Sequence, residues 1–156
     1  MPLDVVFLEL NEGRKKVSSR DEMRIAVKTS PSYSRWVIEA NADAHLLEEA
    51  IETSDFSALG LIAERNSRAM HQTTHDSIPP LSYLSADTTK AIALGKALRH
   101  NGLECYCTLD AGPNPAFLVE RKNTPSLLQS LKGTFPTKSA VRATFGPGLS
   151  FKEKVE

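Results

Sequence analysis

The 156 residues suit one domain of ordinary size, and a hydrophobic content of 40% is enough for a packed core. Charged residues make up 24%, with Lys+Arg and Asp+Glu both at 19, so the formal net charge is zero. That balance excludes a charge-rich disordered chain and argues against nucleic acid or an anionic membrane as partner.

No apolar run approaches a membrane span, and Met1-Pro2-Leu3-Asp4 lacks the basic-then-apolar order of a secretory signal. Cys105 and Cys107 stand two apart. On a strand they face the same side, too far apart for a relaxed disulfide, so they read as two small apolar residues. A cytoplasmic location is the expectation.

The run Val5 to Leu10 reads as a buried strand, ended by a turn at Asn11-Glu12-Gly13. Basic Arg14-Lys15-Lys16 follows. Ser19 with Glu22, or Ser18 with Asp21 one residue earlier, fits a capping box and predicts a helix start. After Pro31, residues Trp36, Val37, Ala40, Leu47, Ala50 and Ile51 keep helical spacing.

Ser54-Asp55 reads as the cap of a further helix with Phe56, Leu59, Ile62, Ala63, Ala69 and Met70 inward. Asn66 falls on that stripe, so it should be hydrogen-bonded in the interior or face a site. Thr73 to Ser85 reads as a loop containing Pro79-Pro80. The next helix carries Ala91, Ile92, Gly95 and Leu98 and stops at Asn101-Gly102.

Leu103 to Leu109 alternates like a strand, Asp110 to Pro115 is a tight turn, and Ala116 to Glu120 completes a hairpin. A short helix, Pro125 to Leu131, a strand, Ala140 to Thr144, and an extended tail from Gly146 onward finish the chain. Helices in the middle with strands at both ends predict an α+β sandwich, an antiparallel sheet covered by helices.

Three segments offer chemistry. A helix start beside Lys15, Lys16 and Arg20, with Ser18 and Ser19, combines free backbone N–H groups, hydroxyls and a guanidinium, which suits a phosphate. The same letters also describe an ordinary capped helix with solvated charges. Asp110, at the end of an apolar strand and before Gly112-Pro113, is either a carboxylate at a site rim or an Asx-type turn residue. His71 and His75, four apart, with Asp76, invite metal or triad readings. No Glu-x-x partner lies between the histidines and no G-x-S-x-G elbow exists, so they read as polar residues at a helix end, and no metal is expected.

Val17-Ser18-Ser19-Arg20-Asp21-Glu22-Met23, Asp55-Phe56, Glu64-Arg65-Asn66, Met70-His71, Pro79-Pro80-Leu81-Ser82-Tyr83-Leu84 and Thr108-Leu109-Asp110-Ala111-Gly112-Pro113-Asn114 occur in one order along the chain. In this the sequence resembles the diphosphomevalonate decarboxylases of the GHMP kinase superfamily, from about Val5 to Thr144. Asp-Ala-Gly-Pro-Asn is the most specific piece of the match. Gln72 stands where that family usually has a small residue.

The resemblance implies a GHMP kinase C-terminal-type two-layer sandwich over 1–156, without the N-terminal ATP-binding domain. It implies a lyase of the mevalonate pathway of isoprenoid biosynthesis. Such enzymes convert 5-diphosphomevalonate and ATP to isopentenyl diphosphate, ADP, phosphate and carbon dioxide. Asp110 corresponds to the catalytic carboxylate, Ser19 and Arg20 to the diphosphate ligands, and Met23 to a pocket-lining residue. ATP and Mg2+ would be bound mainly by the other half. The chain alone should therefore fold without turnover, its partner being an N-terminal half or a second copy. The alternatives are a non-catalytic GHMP-type module for ligand sensing or dimerisation, and a decarboxylase acting on the monophosphate.

Overall fold

The computed structural model describes residues 1–10 and 18–146. The elements run β1 (Leu3–Glu9), α1 (Ser19–Thr29), α2 (Tyr33–Glu52), α3 (Phe56–His75), α4 (Ala86–His100), β2 (Cys105–Leu109) and β3 (Pro115–Glu120). A 3-10 turn (Arg121–Asn123), α5 (Thr124–Thr134) and β4 (Ser139–Thr144) complete the order. The turn at 11–13, the basic segment at 14–16 and the tail beyond residue 146 lie outside the described residues.

The four strands form one antiparallel sheet in the order β2-β3-β1-β4. The expected α+β architecture is therefore present. Alternation sorts the residues by face. Val6, Leu8, Cys105, Cys107, Leu109, Phe117 and Val119 point to one side, where Ala91 of α4, Leu127 and Leu131 of α5, and Phe135 close the main core over them. On the opposite side Leu3 and Tyr106 meet Phe56 of α3, with Leu59 and Leu118 packed against them. The cysteines are free thiols on one strand face, and burial pushes Cys105 up to about 11 and Cys107 up to about 12.

β1 is buried on one face only: Phe7 is 45% exposed between Ala116 and Val141. The run from Val5 to Leu10 is thus a half-buried strand rather than a fully buried one. Asp4 on this strand is fully enclosed. It accepts from Thr124 Oγ1 at 2.8 Å, Arg142 Nε at 2.7 Å and Arg121 Nε at 3.3 Å. Burial pushes its carboxyl up, but these three donors outweigh it and hold the group below the usual carboxylate range.

The helix starts follow local chemistry. Ser18 is the N-cap of α1: its Oγ accepts from Asp21 N at 3.2 Å and donates to Asp21 Oδ2 at 2.6 Å. Of the two capping frames, Ser18 with Asp21 is realised, and Ser19 begins the helix proper. Asp55 caps α3 by accepting from Ala58 N, after Ser54 turns the chain at φ +57°. Ser85 and Thr88 form a reciprocal capping box at the start of α4.

One boundary differs from expectation. α3 continues to His75, because Thr73 and Thr74 are wholly buried and turn their hydroxyls back onto Met70 and His71 carbonyls within the helix. α2 keeps the expected helical spacing yet buries only Asp43 and Ala50, and leaves Val37 and Ile51 exposed. It packs on α3 from outside, where buried Asp43 accepts from Arg65 and from Asn66 Nδ2 at 3.1 Å. Asn66 is therefore hydrogen-bonded but only half-buried, which meets the first of its two expected placements in part.

Candidate functional site

β2 is an edge strand, and its outer backbone groups need partners other than a fifth strand. α3 supplies them from side chains. Glu64 Oε1 accepts from Cys107 N at 2.8 Å, and Ser67 Oγ both accepts from Leu109 N and donates to Leu109 O, each at 2.9 Å. From α4, Arg99 Nη1 donates to Cys105 O at 2.6 Å, and its guanidinium makes a two-pronged pair with Glu64 at 3.1 and 3.0 Å. The last residue of β2 is thus gripped at both its N–H and its C=O by one serine.

Asp110 is the next residue, exposed at the head of the turn to β3. The turn closes through Gly112 N donating to Asp110 O at 2.6 Å, so backbone and not side chain makes the bond. Among the described residues the Asp110 carboxylate accepts no hydrogen bond. The Asx-type alternative fails for that reason. On the far side of the turn Asn114 Oδ1 accepts from Leu10 N at 3.0 Å, tying the end of β1 to the Asp110 turn.

Ser19, Arg20 and Met23 lie on the first two turns of α1, with Arg20 exposed and Ser19 and Met23 half-buried. Among the described residues Arg20 forms no close ion pair, and its charge acts on neighbouring Asp21. Asp21 is held below the usual range, chiefly by the hydrogen bond from Ser18, with Arg24 and Arg20 adding to it. No hydrogen bond joins Asp110 to Ser19 or Arg20 among the described residues.

The histidines separate. His75 is exposed, whereas His71 is buried and sits edge-on to Tyr83 at 5.6 Å between ring centroids. Burial pushes the His71 imidazole below its ordinary pKa, opposed by the Leu109 and Asp110 backbone and the Asp110 charge. Asp76 serves the junction of α1 and α2, accepting from Ser30 Oγ at 2.6 Å and Ser32 Oγ at 3.1 Å. Among the described residues no three His, Cys, Asp or Glu side chains converge as a metal cage.

Reading for apolar periodicity passed over the polar side of α3. Gly60, Glu64, Ser67, His71 and Thr74 are all buried and recur at steps of four, three, four and three. That is a helix stripe as regular as an apolar one, aimed at the edge of β2.

The helix-backed antiparallel sheet matches the fold of solved mevalonate diphosphate decarboxylases. A solved complex described as MDDEF with MVAPP, AMPPCP and magnesium is 42% identical at TM-score 0.88, over 94% of this chain and 45% of that one. The mevalonate diphosphate decarboxylase from Enterococcus faecalis, described for a mevalonate diphosphate mediated ATP-binding mechanism, is 40% identical at TM-score 0.86, over 94% and 44%. Diphosphomevalonate decarboxylase from Bos taurus is 28% identical over 141 residues, or 88% of this chain and 35% of that protein. The family model for the mevalonate 5-diphosphate decarboxylase C-terminal domain matches residues 5–153, and the chain belongs to that family. It spans about a third of the length of its curated relative, 35%.

Proposed function

We propose that residues 1–156 form one domain, the C-terminal half of an ATP-dependent diphosphomevalonate decarboxylase, with Asp110 as the catalytic carboxylate. The observation that carries this reading is that Asp110 follows a backbone gripped by Ser67 yet has no hydrogen bond of its own to satisfy. A carboxylate so held is available to a substrate hydroxyl.

In the proposed reaction the 3-hydroxyl oxygen of 5-diphosphomevalonate attacks the γ-phosphorus of ATP, its proton passes to Asp110, and ADP departs. The C3–O bond then breaks with loss of phosphate. The bond to the carboxylate breaks with it, its electron pair forming the alkene as carbon dioxide leaves. Ser19 and Arg20 at the positive end of α1 would bind the diphosphate, with Met23 beside it. ATP and Mg2+ would be held chiefly by the remaining half. A solved relative in complex with AMPPCP and magnesium supports ATP and Mg2+ as ligands of the complete enzyme. The two free thiols suit a reducing cytoplasm. No helix among the described residues is long and apolar enough to cross a membrane.

The test fuses this chain to the N-terminal half of the Enterococcus faecalis relative and follows ATP-dependent carbon dioxide release. Asp110→Asn should lower kcat by the roughly 10²–10⁴-fold that general base catalysis supplies, with KM little changed. Arg20→Ala should chiefly raise KM. A near-parental kcat for Asp110→Asn ends the assignment, as does turnover by the unfused chain.

A further inference from the structure

Between α3, α4 and the edge of β2 lies a cavity of about 190 Å³, whose wall includes none of Ser19, Arg20, Met23 and Asp110. Its floor is apolar, made by Leu84, Ile92 and Leu109. His71 stands in its wall, 8% exposed, and neither ring nitrogen has a close hydrogen-bond partner, only the electrostatic pull of the Leu109 and Asp110 backbone. Buried polar groups are nearly always satisfied, so an imidazole enclosed without close partners beside an open cavity marks a place where something else binds.

The charges around the mouth point the same way. Arg68 and Lys96 both line the cavity, both are exposed, and neither forms an ion pair among the described residues. The one carboxylate in the wall is Glu64, whose two oxygens are occupied by Arg99 and by Cys107 N. The unpaired charges lining the cavity are therefore two cations, while the Asp110 charge reaches His71 from outside the wall. A guanidinium and an ammonium flanking a neutral imidazole match the oxygens of a phosphate, and the leucine–isoleucine floor matches a short apolar body. The volume admits a ligand of a few carbons and not a nucleotide.

We infer that the cavity bounded by His71, Arg68 and Lys96 is a binding site for a small phosphate monoester with an apolar body, separate from the Asp110 site. The site stands whether or not the decarboxylase reading holds, because none of Asp110, Ser19, Arg20 and Met23 lines it. Leu109 lies in the cavity floor and Asp110 follows it, so an occupant would rest against the backbone that presents the carboxylate.

The probe is n-butyl phosphate added to the isotope-labelled chain, read at the ring signals of its 4 histidines. The expected result is a saturable shift of the His71 signals, while those of exposed His45 and His100 stay put. Inorganic phosphate should bind more weakly, lacking the apolar body, and n-butylammonium not at all. Arg68→Glu and Lys96→Glu, surface changes that leave the core intact, should each weaken binding at least about tenfold. His71→Asn should weaken it too. Arg20→Ala should leave it unchanged. Absence of a saturable His71 shift overturns the proposal, as does equal binding of n-butylammonium. Binding lost on Arg20→Ala but kept on Arg68→Glu would place the phosphate at α1 instead, overturning this site while supporting the diphosphate assignment.

Discussion

Replacing Gly60 by alanine sets two physical effects against each other. In a helix interior alanine is preferred over glycine by about 1 kcal/mol, so local propensity predicts a more stable protein. Packing predicts the reverse. A Cβ on Gly60 would lie well under 3.0 Å from three ring atoms of Tyr106, a distance that real Cβ atoms essentially never show. The ring has no room to retreat. It is 2% exposed, Phe56 meets it edge-on at 5.2 Å, the Arg99 guanidinium lies over it at 4.4 Å, and its hydroxyl donates to Glu104 at 2.8 Å.

Either α3 lifts off β2 or the ring leaves its place, and overpacking of this kind costs about 3 kcal/mol. Set against the propensity gain, Gly60→Ala should destabilise by about 2 kcal/mol, lowering Tm by roughly 4–8 °C at this size. Urea unfolding followed by circular dichroism measures it. In a Tyr106→Ala background the clash is gone, and the same change should stabilise by up to about 1 kcal/mol. Equal or greater stability for Gly60→Ala in the parent background would refute the reasoning.

Two further outcomes follow from the edge of β2 and its neighbours. Glu64→Ala strands the Arg99 guanidinium, whose side chain is 24% exposed, and orphans Cys107 N, so unfolding free energy should drop by about 3 kcal/mol; a loss under about 1 kcal/mol counts against the capped edge. His71 has a lowered pKa when folded, so the unfolded chain binds the proton more readily. Stability should therefore decline as pH falls below the ordinary histidine value of about 6.5, and His71→Asn should flatten that slope in urea titrations between about pH 7 and 5.

Much of the fold was legible because its signals are local. The cap at Asp55, the stop at Asn101-Gly102 and the hairpin around Asp110 all follow from side chains acting within a few residues. The inward stripe of α3 was legible from Phe56, Leu59 and Ile62, but its polar counterpart was not. Glu64 and Ser67 look like solvent-facing residues until a strand edge over 40 positions away is known to need their oxygens. The continuation of α3 through Thr73 and Thr74 escaped for a related reason. Threonine is read as a helix-breaking polar residue, and only burial makes it spend its hydroxyl on its own helix. In α2 the helical spacing was legible but the packing face was not, because its contact with α3 is made through Asp43, Arg65 and Asn66. For Asp110 the letters allowed a turn or a site, and the Gly112–Asp110 backbone bond decided that the turn does not use the carboxylate.

The grip of Ser67 on both backbone groups of Leu109 also sets a rule for building chimeras with relatives. Three residues of helix, about 4.5 Å along its axis, are matched against two of strand, about 6.6 Å, so the helix must cross the edge at one angle and one height. A single-residue deletion between Asp55 and Glu64 would rotate Glu64 and Ser67 by about 100° away from the strand and leave the Asp110 hairpin unanchored. α3 and β2 therefore behave as one exchangeable block. A crossover in the connection from 76 to 85 would part them, and one placed before Asp55 or after Glu120 would keep them together.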